Sequence, residues 1–385
     1  MGHSFVFMSH SAPVYLDCNA TTPIEPEVGK LVRYFFEEEY GNEGSRTHGF
    51  GARAKEAVDR ARAQIAHLVD SKINEVVFTS GATESNNLAI LGLANWGRSH
   101  GKTHIVSTRI EHKAVLEPIE MLAKDGFEVD WVSPDSNGRV DAQELLQRVR
   151  PTTLLVSLMH ANNETGVVQP ISEVAQGLGD HPAWFHVDAA QTFGKLIPTL
   201  RDHRIDLMSA SGHKIYGPKG VGVLIVRHRK KQKVPLHPLV FGGGQEQGLR
   251  PGTLPVPLVV GLGLAAELGE KRHTEREKYC RSFREKFFQA ITPLHPKIHG
   301  VEGEVLSHTA NVSFPGWSAE EGMLKIRDLV AVSNGSACTS SSYQPSHVLQ
   351  AMGLGKEEIV GAMRFSWSHL TPEPNWGGLV EKFKK

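Results

Sequence analysis

From about residue 75 the chain alternates short apolar runs with helix-forming stretches, and nothing else in it limits the fold so strongly. Residues 75–79 read as a strand followed by a helix that opens near Thr83, and 104–108 as a strand followed by a helix near His112. The series continues at 127–132, 153–159, 184–187, 207–209 and 221–226. Val-, Ile- and Leu-rich runs interleaved with helices predict an α/β fold whose mostly parallel sheet is covered by helices on both faces. Such sheets receive ligands at the carboxyl ends of their strands. Thr83, His112, Asn163, Asp188 and Lys214 each follow one of the runs, so the topology predicts that they share one site.

Two of these residues suggest a chemistry. Lys214 lies in Ser211-Gly212-His213-Lys214, downstream of Asp188 at a strand end. Lysine amines form Schiff bases with carbonyls, and a pyridine ring serving as an electron sink needs a carboxylate at its nitrogen. The chain supplies both in the order a pyridoxal 5'-phosphate site requires. For the phosphate, the turn Gly81-Ala82-Thr83 offers backbone N–H groups at a helix N-terminus, where the dipole favours an anion, and Thr83, Ser211 and His213 add side-chain donors. The plainer alternatives are a surface lysine in a glycine-rich turn, a turn cap for Asp188 and a helix cap for His112; Lys219 competes with Lys214. Further on, Ser333-Asn334-Gly335-Ser336-Ala337-Cys338-Thr339-Ser340 sets one cysteine in a small, polar segment. Together these features point to sulfur chemistry on an amino acid.

At 385 residues the chain suits two domains that share an interface. After Gly261 its texture changes: 262–288 reads as one long helix, 308–314 alternates like a strand, and another helix and 363–367 follow the cysteine segment. The expected division is a large domain over 22–260 and a smaller α+β domain built from 1–21 and 261–385. Lys plus Arg equals Asp plus Glu at 42 each, which argues against a strongly basic nucleic-acid footprint, so no direct nucleic-acid binding is expected. The basic runs 227–233 and 271–273 read as solvated loop or helix ends. Three cysteines, Cys18, Cys280 and Cys338, give neither a disulfide framework nor paired metal spacing, which suits a reducing cytoplasm. No apolar run reaches membrane-span length, residues 1–11 lack signal-peptide character, Val6 is wrong for myristoylation, and Met8 is an alternative start. Twenty histidines show no metal-ligand spacing, so no metal is expected. Gly261-Leu262-Gly263-Leu264-Ala265-Ala266 matches a dinucleotide fingerprint, but it lacks the following βαβ unit and reads better as a closely packed helix.

In combination, the motifs resemble the cysteine desulfurases, within the aspartate-aminotransferase-like fold (fold type I) of pyridoxal phosphate enzymes, from Tyr15 to about Thr371. They include Thr79-Ser80-Gly81-Ala82-Thr83-Glu84-Ser85-Asn86, Glu111-His112-Lys113, Asn162-Asn163-Glu164-Thr165-Gly166, Asp188-Ala189-Ala190-Gln191, Gly212-His213-Lys214, Gly252-Thr253, Ser336-Ala337-Cys338 and Arg364-Phe365-Ser366. The resemblance implies that Lys214 anchors the cofactor, Asp188 holds its ring nitrogen, and His112 stacks on the ring and moves protons. Gln191 and Asn163 would bond the ring oxygen or orient the substrate. Ala82, Thr83, Ser211 and His213 would hold the phosphate, completed by Thr253 from a neighbouring subunit, which implies a homodimer. Arg364 would grip the carboxylate of the substrate L-cysteine, unless it merely pairs with an internal carboxylate. Cys338 would take the substrate's sulfur as a persulfide and pass it to an acceptor protein, its Ser- and Gly-rich surroundings matching the extended-loop class. Cys18 and Cys280 read as structural or passive.

Asn19 where the family has Ala, Glu43-Gly44, and Trp367-Ser368-His369 depart from the housekeeping pattern and resemble the desulfurase that feeds DNA phosphorothioation. Sulfur supply for iron–sulfur clusters or tRNA thiolation, a selenocysteine lyase, and a non-enzymatic sulfur relay are the alternatives.

Overall fold

Runs of β-branched residues, stiff at χ1 and suited to a pleated surface, form the strands expected of them. The computed structural model describes residues 12–230, 232–300, 304–334 and 345–384. After a short strand β1 (Val14–Tyr15) come β2 (Val76–Thr79), β3 (His104–Thr108), β4 (Glu128–Val132), β5 (Thr153–Met159), β6 (Trp184–Asp188), β7 (Leu207–Ser211) and β8 (Gly222–Val226). The last seven make one sheet in the order β2-β8-β7-β6-β5-β3-β4. Only β8 runs against its neighbours; flanked by β2 and β7, it leaves β2 parallel to the other strands. All strands but β8 therefore end at the same edge.

Alternate side chains feed two cores, as the strand period of two requires. Val76, Phe78, Met208, Ala210, Val223 and Ile225 join one core with the helices Gly49–Leu68 and Val256–Lys271. Val77, Leu207 and Leu224 join the other with the helices Ala82–Leu91 and Lys113–Lys124. The helix Val256–Lys271 runs straight through position 261. A Cβ on Gly263 would stand 2.5 Å from the Cα of Ala61, so the dinucleotide-like motif is a close helix contact.

The remaining strands are β9 (Lys297–His299), β10 (Thr309–Ser313), β11 (Val330–Ala331) and β12 (Ala362–Ser366). β12, β10 and β9 form an antiparallel sheet over a core that includes Leu16, Phe287, Phe365 and Trp367. The N-terminal residues return to this unit, since β1 pairs with β11 and Asp17 bridges Ser366.

Two expectations are corrected. The stretch 262–288 is not one helix: Val256–Lys271 and His273–Ile291 break at Arg272 (φ −108°, ψ 11°), whose guanidinium binds Glu25 and Glu27 at 3.2 and 2.6 Å. Nor is the run 227–233 solvated throughout. Arg227 is buried with carbonyls of Val69, Leu200, Asp202 and Ile205 taking the N–H groups of its two terminal nitrogens, while its Nε has no partner among the described residues. Among the described residues no helix is long and apolar enough to cross a membrane.

Candidate functional site

The turns after the co-terminal strand ends wall a cavity of about 810 Å³, within the usual size of a small-molecule site. β7 ends at Ser211, and a 3-10 turn, Gly212–Lys214, swings Lys214 into it. The Lys214 Nζ donates to the carbonyls of Asn19 and, at 2.9 Å, Ala20. Burial, reinforced by the positive charges of Arg364 and Lys195, pushes the Lys214 pKa down to about 7. The amine is thus substantially uncharged near neutrality, the form that attacks a carbonyl. Lys219 lines the same cavity.

Asp188 closes β6 and is held from two sides. Its Oδ2 accepts from Asn86 Nδ2 at 2.8 Å and its Oδ1 from the Ala190 N–H at 2.9 Å. Two residues earlier His186 lies between Ser157 and Ser209, at 2.8 and 3.0 Å, and burial pushes its pKa down to about 4. His112 caps the helix Lys113–Lys124: its Nδ1 accepts from the Ala114 N–H at 3.1 Å, which assigns the ring hydrogen to Nε2. Burial holds His112 below the usual histidine range, against the pull of Asp188. The preceding Glu111 is buried, accepts from Thr108 Oγ1 and the Met159 N–H at 2.9 and 2.8 Å, and is pushed up to about 8 by burial.

Arg364 projects from β12 and lines the same cavity. It donates to Asp17 at 2.5 Å and to the Asn163 carbonyl at 3.0 Å, while its Nε has no partner among the described residues. The internal carboxylate considered as the plain alternative is therefore present in Asp17, yet Arg364 still faces the cavity. Gln191 Nε2 donates to the Asn19 carbonyl at 3.1 Å, leaving its Oε1 unpartnered among the described residues.

Gly81, Ala82 and Thr83 begin the helix Ala82–Leu91 and line the cavity together with Ser211 and His213. Burial and then Lys214 push His213 down to about 4, so it is a neutral donor or acceptor, and its Nδ1 has no partner among the described residues. β8 starts directly against this turn. A Cβ on Gly222 would lie 2.5 Å from the Gly81 Cα and 2.6 Å from the Ala210 carbonyl oxygen. Gly222→Ala should therefore displace the turn, lowering stability by about 1–3 kcal/mol. It should also weaken pyridoxal phosphate retention, which dialysis followed by absorbance reads directly; full retention at the wild-type melting temperature would contradict this.

The cavity thus gathers Lys214, His112, Asp188, Gln191, Asn163, Ala82, Thr83, Ser211, His213 and Arg364. Thr253 is exposed and is not part of its lining. Cys338 lies outside the described residues, although Ser333 and Asn334, just before its segment, line the cavity. Sequence reasoning assigned no role to Asn86, Asn19, Asp17 or Glu111. Asn86 is one helical turn beyond Thr83, a spacing that was visible, whereas the meeting of Asn19 with Asn163, Thr309 and Gln191 depends on tertiary structure.

These groups fit pyridoxal phosphate: an amine of lowered pKa, a fixed carboxylate, a helix N-terminus, and unpartnered polar atoms on Gln191 and His213. Comparison with known proteins agrees. The model of the family aminotransferase class-V matches residues 14–374. A cysteine desulfurase IscS of Rickettsia africae is 44% identical over 366 residues, covering 94% of this chain and 88% of that protein. The crystal structure of DndA from Streptomyces lividans superposes with a TM-score of 0.81 at 46% identity, covering 94% of this chain and all of that one. The structure of SspA in complex with cysteine gives 0.82 at 38% identity, covering 93% and 100%.

Proposed function

We propose, from the premise that the chain belongs to the aminotransferase class-V family and is one of its pyridoxal-phosphate-dependent cysteine desulfurases, that it converts L-cysteine to L-alanine through a persulfide on Cys338 destined for DNA phosphorothioation. The observation that carries the site assignment is the convergence of Lys214, Asp188, His112 and Arg364 on one cavity. Bound there, pyridoxal phosphate supplies an aldehyde and an electron-withdrawing ring. Lys214 would hold it and, as an amine of lowered pKa, would exchange protons with the substrate. Asp188, fixed by Asn86 and the Ala190 N–H, would hold the ring nitrogen. The Nε2 of His112 holds or passes a proton, since its Nδ1 is engaged. Arg364 orients the substrate carboxylate through a guanidinium whose Nε has no partner among the described residues. Cys338 would then take the substrate sulfur: its thiolate forms the S–S bond, the Cβ–S bond breaks with its electron pair left on Cβ, a proton adds to that carbon, and the skeleton leaves as alanine.

The working unit in this reading is a homodimer in which Thr253 reaches the partner's phosphate site. Its exposure supports this, as do the exposed Leu239, Val240 and Phe241 upstream on the same connection. The pathway rests on the departures at Asn19, 43–44 and 367–369, and the 46% identity to DndA accords with it. Iron–sulfur supply is the second reading, favoured by the likeness to IscS proteins.

Loss of the gene should remove phosphorothioate from DNA digests and leave iron–sulfur enzyme activities intact. The reverse pattern would transfer the protein to the second reading. With purified protein and a thiol reductant, alanine and sulfide should appear in equal amounts from L-cysteine; a preference for selenocysteine would mark a lyase.

A further inference from the structure

We propose that the turn 162–166 positions Cys338 by fastening both ends of the chain that carries it, Glu164 being the positioning residue for the returning end. This rests on Cys338 being the sulfur acceptor. The buried Glu164 accepts from Ser346 Oγ at 2.5 Å through its Oε2, although the two are 182 positions apart. The same Ser346 oxygen accepts from the Leu349 N–H at 3.1 Å and so starts the helix His347–Ala351. The neighbouring His347 meets the Glu111 carbonyl at 3.0 Å through its Nε2, next to His112.

The departing end is tied to the adjoining residue of the turn. Ser333 and Arg364 exchange backbone hydrogen bonds of 3.3 and 2.6 Å, and Arg364 donates to the Asn163 carbonyl at 3.0 Å. The turn itself is firmly made. Asn162 Oδ1 accepts from the N–H groups of Glu164 and Thr165 at 2.8 and 3.0 Å. Gly166 adopts φ +79°, and a Cβ there would lie 2.9 Å from the Thr309 Cβ. A carboxylate and a hydroxyl are expensive to bury unless hydrogen-bonded, and this pair bonds directly just after the cysteine segment. Asn163 and Glu164 thus hold the two anchors on consecutive residues, beside the group that grips the substrate.

The test uses the holoenzyme and separates substrate capture from sulfur loading. Capture is followed by the absorbance change of the cofactor on mixing with L-cysteine. Loading is followed by the gain of one sulfur atom in the mass of the intact protein. Ser346→Ala should slow loading about tenfold or more, as small displacements of reacting groups do, while leaving cofactor content and capture unchanged. Ser346→Thr keeps the hydroxyl and should restore loading. Ser346→Gly still permits the helix start but has no hydroxyl, and should load as slowly as the alanine variant. Wild-type loading in the alanine or glycine variant, or capture falling in step with loading, would overturn the proposal, as would a threonine variant that loads no faster than alanine. Cys338→Ala is the control on the underlying reading. Alanine made at the wild-type rate by that variant would defeat the persulfide reading itself, whatever the Ser346 series showed.

Discussion

Lys214→Ala is expected to abolish alanine formation from L-cysteine. Removing a positioned proton carrier alone costs about 10²–10⁴-fold, and this variant also loses its covalent hold on the cofactor. The fold should survive, because the Nζ contacts are backbone carbonyls of Asn19 and Ala20 beside the cavity rather than a buried carboxylate. Stability gives an independent check. The folded-state pKa is near 7 and the ordinary value is 10.5, so below about 7 both states are protonated and the folded state bears the whole penalty of a buried charge. Between these values the unfolded chain binds more protons, so stability rises with pH and the penalty fades. Cofactor-free Lys214→Ala should therefore melt no lower than cofactor-free wild type at about pH 6. Its relative advantage should shrink as pH rises past 7 toward 10.5. Normal turnover would remove Lys214 from the mechanism, and a lower melting point in acid would show that burial is not what shifts it.

Cys338→Ser should keep the cofactor's colour and its response to L-cysteine, yet form neither alanine nor sulfide above background. The expected loss is at least about 10²-fold, the lower end of what a positioned catalytic group contributes. A thiolate attacks sulfur and a serine hydroxyl at neutral pH does not. Nor can another cysteine take over. Cys18 and Cys280 are buried, and burial raises both thiols, Cys280 to about 12, leaving almost no thiolate near neutrality. Alanine at the wild-type rate from Cys338→Ser would instead identify an eliminating lyase that needs no persulfide.

Much of this site was legible because its residues follow apolar runs, and a mostly parallel sheet delivers such residues to one edge. The strands 104–108 and 153–159 were read with the observed ends, since a run buried on both faces has sharp limits in sequence. Helix junctions were less visible. Arg272 interrupts a continuous helical pattern with no proline or glycine at the break itself, and its ion partners Glu25 and Glu27 lie some 250 positions upstream. The burial of Arg227 was hidden for the same reason, because backbone carbonyls leave no mark in composition. The support of Asp188 by Asn86, and the pairing of Arg364 with Asp17, likewise join segments that only the fold brings together.

The two anchors on the turn 162–166 also bear on how such an enzyme can diverge. With Ser333 and Ser346 pinned, a flexible insertion between them would cost only about 0.6 kcal/mol of loop-closure entropy for each doubling of length. Lengthening or shortening that stretch therefore scarcely burdens the rest of the molecule. A lineage can refit the thiol's reach to a new acceptor by insertions and deletions between two fixed posts, while the apparatus that binds the amino acid stays as it is.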